Sequence, residues 1–167
     1  MLKMIGITAV LLSSAMFGFY LTRKLRRHIE ILSSLREMML TFKREISYRM
    51  TPMSELFGMC SDLSVSEFTG CISDGLQNGR SLGESVKAAE ENTNCMSELT
   101  GTERAFVLQT LSDLGGTDVE SQISMLENAV QTVDEFINIA KENKAKNSKV
   151  YFTMSLYIGI AIAIIFI

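Results

Sequence analysis

Two long uncharged segments at the ends of the chain constrain its fold more than any other feature. Residues 4–22 contain no charged side chain over 19 positions, and residues 150–167 contain none over 18. As α-helices, both are about long enough to cross a hydrocarbon layer of ~30 Å. We therefore predict transmembrane helices at 4–22 and 150–167, with a domain of residues 23–149 between them.

Basic residues flank both segments on the side of the central domain. They are Arg23, Lys24, Arg26 and Arg27 after the first, and Lys141, Lys144, Lys146 and Lys149 before the second. Because basic loops are retained in the cytoplasm, the central domain is predicted to be cytoplasmic. A cleaved signal peptide is the alternative for the first segment. However, that segment exceeds a signal core of about 7–15 residues and lacks a small-residue cleavage site.

Charge is distributed unevenly within the central domain. Residues 50–140 contain 15 acidic side chains but three basic ones, Arg80, Lys87 and Arg104. A surface this acidic would repel a polyanion, which argues against nucleic-acid binding. The carboxylates are interpreted either as a solvated surface that keeps the domain soluble or as a docking surface for a basic partner.

The sequence contains no residue pattern typical of an active site or a cofactor site. His28 is the only histidine, and the cysteines, Cys60, Cys71 and Cys95, are odd in number without C-x-x-C spacing. In a reducing cytoplasm such cysteines are expected to be small apolar core residues. A glycine-rich phosphate loop and a nucleophile elbow are also missing. We predict no enzyme activity, no metal and no cofactor.

The spacing of apolar residues predicts an almost entirely helical central domain, since no stretch alternates apolar and polar residues as a strand would. The first span is expected to continue as a helix to Arg49. Further helices are predicted from Thr51, at 65–77, 81–91 and 102–111, and from Thr117. Thr51 is expected to cap the helix that Pro52 opens, and Thr117 to form a capping box with Glu120. The predicted fold is all-α: a cytoplasmic bundle of about six helices flanked by two transmembrane helices.

The apolar residues of the first and last helices match when the helices are antiparallel. The last helix carries a heptad pattern, Val119, Ile123, Leu126, Val130, Val133, Ile137 and Ala140. Leu35 would then face Ile137 and Phe42 would face Val130, and the residue numbers of each pair sum to 172. The alternative is that each apolar stripe packs only on the short helices.

Small residues one helical turn apart mark one face of each predicted span. They are Ser14 and Gly18 in the first span, and Gly159 and Ala163 in the second. Such small-x-x-x-small faces let helices approach closely, so we predict packing within or between copies. The alternative is that glycine is simply common in membrane helices.

Four segments, taken together, resemble a known family. They are Glu45-Ile-x-Tyr48-x-Met50-Thr-Pro-Met-x-Glu55-Leu, Gly79-Arg-Ser-Leu-x-Glu-Ser-Val, Leu111-x-x-Leu-Gly115-x-x-Asp118-x-Glu-x-Gln122 and Lys144-x-Lys-Asn147-x-Lys149-x-Tyr151. Their order over essentially the whole chain resembles stage III sporulation protein AB of endospore-forming bacteria. The second segment resembles the repeat motif of the type II secretion F domain, to which that family is related. The polar stretch 93–102 departs from the family pattern and leaves the helix boundaries between residues 92 and 102 open.

The resemblance implies a non-enzymatic platform subunit of a sporulation secretion or channel complex, in the mother-cell membrane around the forespore. It would couple a cytoplasmic secretion-type ATPase to that complex, without catalytic residues of its own. Other membrane subunits, membrane lipid and further copies of the chain are the remaining expected partners. The alternative is a membrane-anchored helical signalling or scaffold protein without an ATPase partner.

A distal acidic surface is the predicted docking site for the ATPase. Its residues are Glu84, Glu90, Glu91, Glu98 and Glu103. Complementary charge would mainly raise the association rate and select the partner. The alternative is that these carboxylates only keep the domain soluble.

Overall fold

The structure is a computed structural model that describes the backbone of residues 2–49 and 51–165. Side chains are described throughout 23–49 and 51–146 and at scattered positions outside those ranges. The described residues form six α-helices and contain no strand, which confirms the predicted all-α fold. The helices are α1 (Leu2–Arg49), α2 (Met53–Gly58), α3 (Ser66–Gln77), α4 (Leu82–Asn92), α5 (Gly101–Ser112) and α6 (Val119–Ile165). A 3₁₀ turn, Cys95–Glu98, lies in the stretch whose boundaries the sequence left open.

The chain divides into two compact units, one formed by residues 1–27 and 139–167 and the other by residues 28–138. Within the part of the chain that the structure describes, no helix combines enough length with enough apolar character to cross a membrane. Most side chains of the segments 4–22 and 150–167 lie outside the described residues, so these spans stay predictions. The same holds for the packing faces at Ser14, Gly18, Gly159 and Ala163.

The second unit, residues 28–138, encloses an apolar core that α1 supplies more than any other helix. The α1 side chains with no exposed surface are Ile31, Leu32, Leu35, Met38, Met39 and Phe42. They recur every three or four residues and so occupy one face of the helix. The ring of Phe42 meets that of Phe57 edge to face, with centroids 4.8 Å apart, and this contact holds α2 against α1.

Two ion pairs connect α1 and α6 within the second unit and report their register. Arg36 Nε lies 2.6 Å from Asp134 Oδ1, and Lys43 Nζ lies 2.7 Å from Glu127 Oε1. The residue numbers of each pair sum to 170. In the predicted register, Leu35 faces Ile137 and the next core pair is Met39 with Val133. Arg36 and Asp134 each come one residue after a core position and lie between these two pairs, so their side chains are expected to meet at the edge of the helix pair. The ion pairs therefore confirm the predicted antiparallel register.

The predicted heptad on α6 is wrong at three of its seven positions, Val119, Ile123 and Val130. Val119 is 38% exposed, and Ile123 and Val130 are only half-buried. Leu126, Val133, Ile137 and Ala140 are buried as predicted, and Gln122 and Ala129 are buried beside the positions that are not. A straight α-helix drifts about 20° per heptad from a 3.5-residue repeat. Between Ile137 and Val119 this drift adds up to about 50°, so Val119 lies at the exposed edge of the stripe.

Two predicted helix starts are wrong by one residue. Pro52 is the N-cap of α2, and the hydroxyl of Thr51 donates to Glu45 Oε2 (3.5 Å) instead of capping the helix. At the start of α6, the N–H of Ser121 donates to the carboxylate of Asp118 (3.1 Å). Asp118 displaces Thr117 as the cap because its carboxylate accepts the hydrogen bond and also interacts favourably with the positive end of the helix dipole.

The helices α3, α4 and α5 agree with their predicted ranges, 65–77, 81–91 and 102–111, to within one residue at each end. The turn after α3 uses Gly79 at φ +79°, a left-handed conformation that glycine adopts without strain. The α3–α4 pair is tight, because a Cβ on Gly75 would lie 2.6 Å from Ser85 Oγ. The α3–α4 hairpin is thus closely packed, and its outer surface carries exposed acidic side chains.

Candidate partner-binding surface

The five carboxylates predicted for docking lie on α4, the 3₁₀ turn and α5, but they differ in accessibility. Glu84 and Glu91 are exposed, Glu90 and Glu98 are half-buried, and Glu103 is buried. Only two of the five are therefore fully presented to a partner.

Glu84 combines an exposed charge with a structural role at the start of α4. Its carboxylate accepts hydrogen bonds from the N–H of Ser81 (3.0 Å) and from the Ser81 hydroxyl (2.8 Å). The Glu84 N–H donates to Ser81 Oγ (3.3 Å), which completes a capping box. The two hydrogen bonds from Ser81 lower the pKa of Glu84 below its ordinary value, and the bond from the Ser81 hydroxyl has the larger effect. Glu84 therefore presents a negative charge at neutral pH, held in place by Ser81.

Glu90 and Glu98 are both partly withdrawn from solvent. Arg104 Nε donates to Glu90 Oε1 over 2.7 Å, so this carboxylate ties α4 to α5 and is neutralised there. Glu98 lies in the 3₁₀ turn, and its Oε2 is buried without a hydrogen-bond partner among the described residues. Neither residue offers a partner the open carboxylate that was predicted.

Glu103 faces inward and connects α5 to α1. Its Oε2 lies 2.8 Å from Nε2 of His28 and accepts a hydrogen bond from the N–H of Thr100 (2.8 Å). With Thr100 as the N-cap, Glu103 completes a second capping box. The Thr-x-x-Glu spacing of residues 100–103 is the sequence signal that would have predicted this role.

Two exposed carboxylates on α3, Glu67 and Asp74, were missed by sequence reasoning. They are seven residues apart, as are Glu84 and Glu91 on α4. Residues seven apart share a helix face, at a separation of about 10 Å along the axis. The α3–α4 hairpin thus carries two pairs of exposed carboxylates, and the repeated spacing was the available signal.

A shallow groove of about 460 Å³ runs along the outer face of α3. The groove is lined by the carboxylates of Glu67 and Asp74, the guanidinium group of Arg80 and three small residues, Gly70, Cys71 and Gly75. Because these side chains are short, a partner side chain can approach the α3 backbone closely between the two carboxylates.

The described side chains provide neither a reactive thiol at Cys60 nor a cluster that could bind a metal ion. Cys60 is buried, and its burial raises the pKa of the thiol to about 11, so at neutral pH it is an inert thiol rather than a nucleophilic thiolate. Among the described side chains, no group of three or more histidine, cysteine or acidic residues could hold a metal ion.

The fold defines an all-helical protein whose described surface carries exposed acidic side chains on α3 and α4. The family model of stage III sporulation protein AB matches residues 3–167, so the chain belongs to that family. Membership indicates a role in sporulation, and the family is not known as an enzyme family. No curated protein and no solved structure matches the chain.

Proposed function

We propose that the chain is a non-enzymatic membrane platform subunit of a sporulation-specific secretion or channel complex. In this role it couples a cytoplasmic secretion-type ATPase to the complex, in the mother-cell membrane around the forespore. Membership of the stage III sporulation protein AB family supports the sporulation context. The absence of catalytic motifs from the sequence is compatible with a coupling role.

The observation that carries the proposal is the exposed carboxylate pair on α4, Glu84 and Glu91. A partner with a basic surface would be attracted to these charges before contact, which raises the association rate and disfavours acidic competitors. Glu90 and Glu103 contribute differently, because their bonds to Arg104 and His28 hold the helices that carry the surface. The docking surface that we propose therefore depends on Glu84 and Glu91.

The membrane part of the proposal rests on the two uncharged end segments and their basic inner flanks. Segments 4–22 and 150–167 would span the bilayer and place residues 23–149 in the cytoplasm. The basic residues next to each span would lie at the anionic leaflet, where each is worth about 1 kcal/mol. Other membrane subunits would contact the spans through the small-residue faces.

The decisive experiment measures ATPase binding to full-length chain in mild detergent, at low and high salt. The test variant carries Glu84→Gln and Glu91→Lys. Glutamine keeps the N3 role of the capping box while it removes the charge. We expect about tenfold weaker binding at low salt and a smaller difference at high salt, because screening removes the attraction between surface charges.

The matched control carries Glu120→Gln and Glu135→Lys on α6, which change the net charge equally. It should bind like the parent. Equal weakening of both variants would mean that total charge, not this surface, governs binding. A parent chain that does not bind the ATPase would refute the coupling role and favour a membrane-anchored signalling or scaffold protein.

A further inference from the structure

The C-terminal part of α1 carries an exposed strip of apolar, basic and aromatic side chains. Leu40, Arg44 and Tyr48 follow one another at four-residue intervals and lie on one helix face, and Arg49 follows Tyr48 as the last residue of α1 and is counted with this strip. Tyr48 is 85% exposed, and the side chains of Arg44 and Arg49 are 65% and 72% exposed. Tyrosine and arginine are the residue types that most often dominate binding energy at protein interfaces.

The strip keeps a net positive charge on an otherwise acidic domain. Arg44 and Arg49 share one carboxylate, that of Glu45, at 3.6 and 3.8 Å. These distances exceed those of charge-assisted hydrogen bonds, so both guanidinium groups keep donors for a partner. An acidic surface is the electrostatic complement of this strip.

The outer face of α3 is such a surface, and it lies at the same level of the second unit. The N–H of Ser64 donates to Ser34 Oγ (3.2 Å), so α3 begins beside the middle of α1. Ser73 Oγ donates to the carbonyl of Ser54 (2.8 Å), just beyond the end of α1. The segment 67–74 therefore lies alongside the part of α1 that bears the strip. Two copies standing side by side in the same orientation would bring the strip of one level with the α3 face of the other.

We infer that copies of this chain associate side by side, with Arg44, Tyr48 and Arg49 of one copy on the α3 face of the next. The arginines meet the carboxylates of Glu67 and Asp74, and the ring of Tyr48 enters the groove over Gly70. The contact joins two different surfaces, so a pair of copies still has one free strip and one free α3 face. Further copies can therefore add at both ends, which gives a ring or a row. It uses α3 rather than the α4 pair proposed for the ATPase, so each interaction can fail alone.

A charge-exchange experiment on full-length chain in mild detergent tests the inference. One variant carries Arg44→Glu and Arg49→Glu, and the other carries Glu67→Arg and Asp74→Arg. Each alone juxtaposes like charges and should lose self-association in analytical ultracentrifugation. Mixed in equal amounts, the two should associate again, because both contacts between the variants regain opposite charges.

A third variant and a control separate binding from misfolding. Tyr48→Ser alters an exposed side chain and should weaken self-association about tenfold without changing the helical circular dichroism. Glu120→Lys with Glu135→Lys on α6 should associate like the parent.

Three results would overturn the inference. They are a parent chain that stays monomeric at high concentration, charge-reversed variants that associate like the parent, and a mixture that does not recover association. If the parent is monomeric and the variant with Arg44→Glu and Arg49→Glu loses ATPase binding instead, the strip is a binding site for the ATPase.

Discussion

The contact between Glu103 and His28 allows a quantitative test of how α5 is held against α1. Glu103→Ala removes the acceptor of the Thr100 N–H and the partner of His28. Glu103 is the N3 half of the capping box, so its loss costs at most the value of a whole cap, about 0.5–2 kcal/mol, and a buried polar group left without its partner costs about 1–3 kcal/mol. His28 keeps 18% of its side chain exposed, so water replaces part of the lost contact and the lower part of the second range applies. We expect a loss of about 2–3 kcal/mol in the free energy of unfolding.

The assay is urea unfolding of full-length chain in mild detergent, followed by far-UV circular dichroism. The midpoint should fall at unchanged slope, since a change in stability alone leaves the exposed surface area the same. Glu103→Gln should cost about 1 kcal/mol, because the amide oxygen still accepts from Thr100 and glutamine functions at this capping position. Glu84→Ala is the matched control, as it removes an exposed capping box, and it should lower the midpoint less.

Two results would refute this reasoning. Equal midpoints for Glu103→Ala and Glu84→Ala would mean that burial and the contact with His28 add nothing to the cap. Additive effects of Glu103→Ala and His28→Ala in a double-mutant cycle would mean that the two side chains are not coupled, whereas residues in contact are expected to be non-additive.

Two further predictions concern α6. In an otherwise cysteine-free chain, Leu35→Cys with Ile137→Cys should form a disulfide on oxidation. The control pair, Leu35→Cys with Glu135→Cys, should not, because a disulfide requires Cα atoms within about 7 Å. Equal disulfide yields for the two pairs on a non-reducing gel would contradict the register. Hydrogen bonds from Ser121, chiefly from its hydroxyl and next from its N–H, lower the pKa of Asp118 below its ordinary 3.8. Ionised Asp118 therefore stabilises the start of α6 above that pH. This stabilisation is lost as the pH falls through the lower pKa of the folded state. A carboxyl NMR titration should place Asp118 below 3.8, and Ser121→Ala should move it back toward that value; identical titrations of parent and variant would contradict the assignment.

The helical ranges could be predicted because helix formation leaves local signals in the sequence. Apolar spacing located α3, α4 and α5 to within one residue, and the antiparallel match of two apolar stripes located the register of α1 and α6. Helix starts were less predictable, since neighbouring residues compete for one cap. Thr117 and Asp118 are both suitable, and the carboxylate was the stronger acceptor.

The accessibility of each carboxylate was decided by tertiary structure. Glu91 and Glu103 are the same residue type in the same acidic region, yet one is exposed and the other is buried against His28, 75 residues away in the chain. Likewise, Arg104 neutralises Glu90 only because α4 and α5 pack together.

The sequence by itself determined the all-helical fold, the acidic character of the domain and the absence of catalytic motifs, because these follow from local spacing and composition. Which acidic groups remain open to a partner depends on contacts between residues far apart in the chain. Those contacts form only when the bundle assembles, so the arrangement of Glu67, Asp74, Glu84 and Glu91 on one helical hairpin was decided by the tertiary structure.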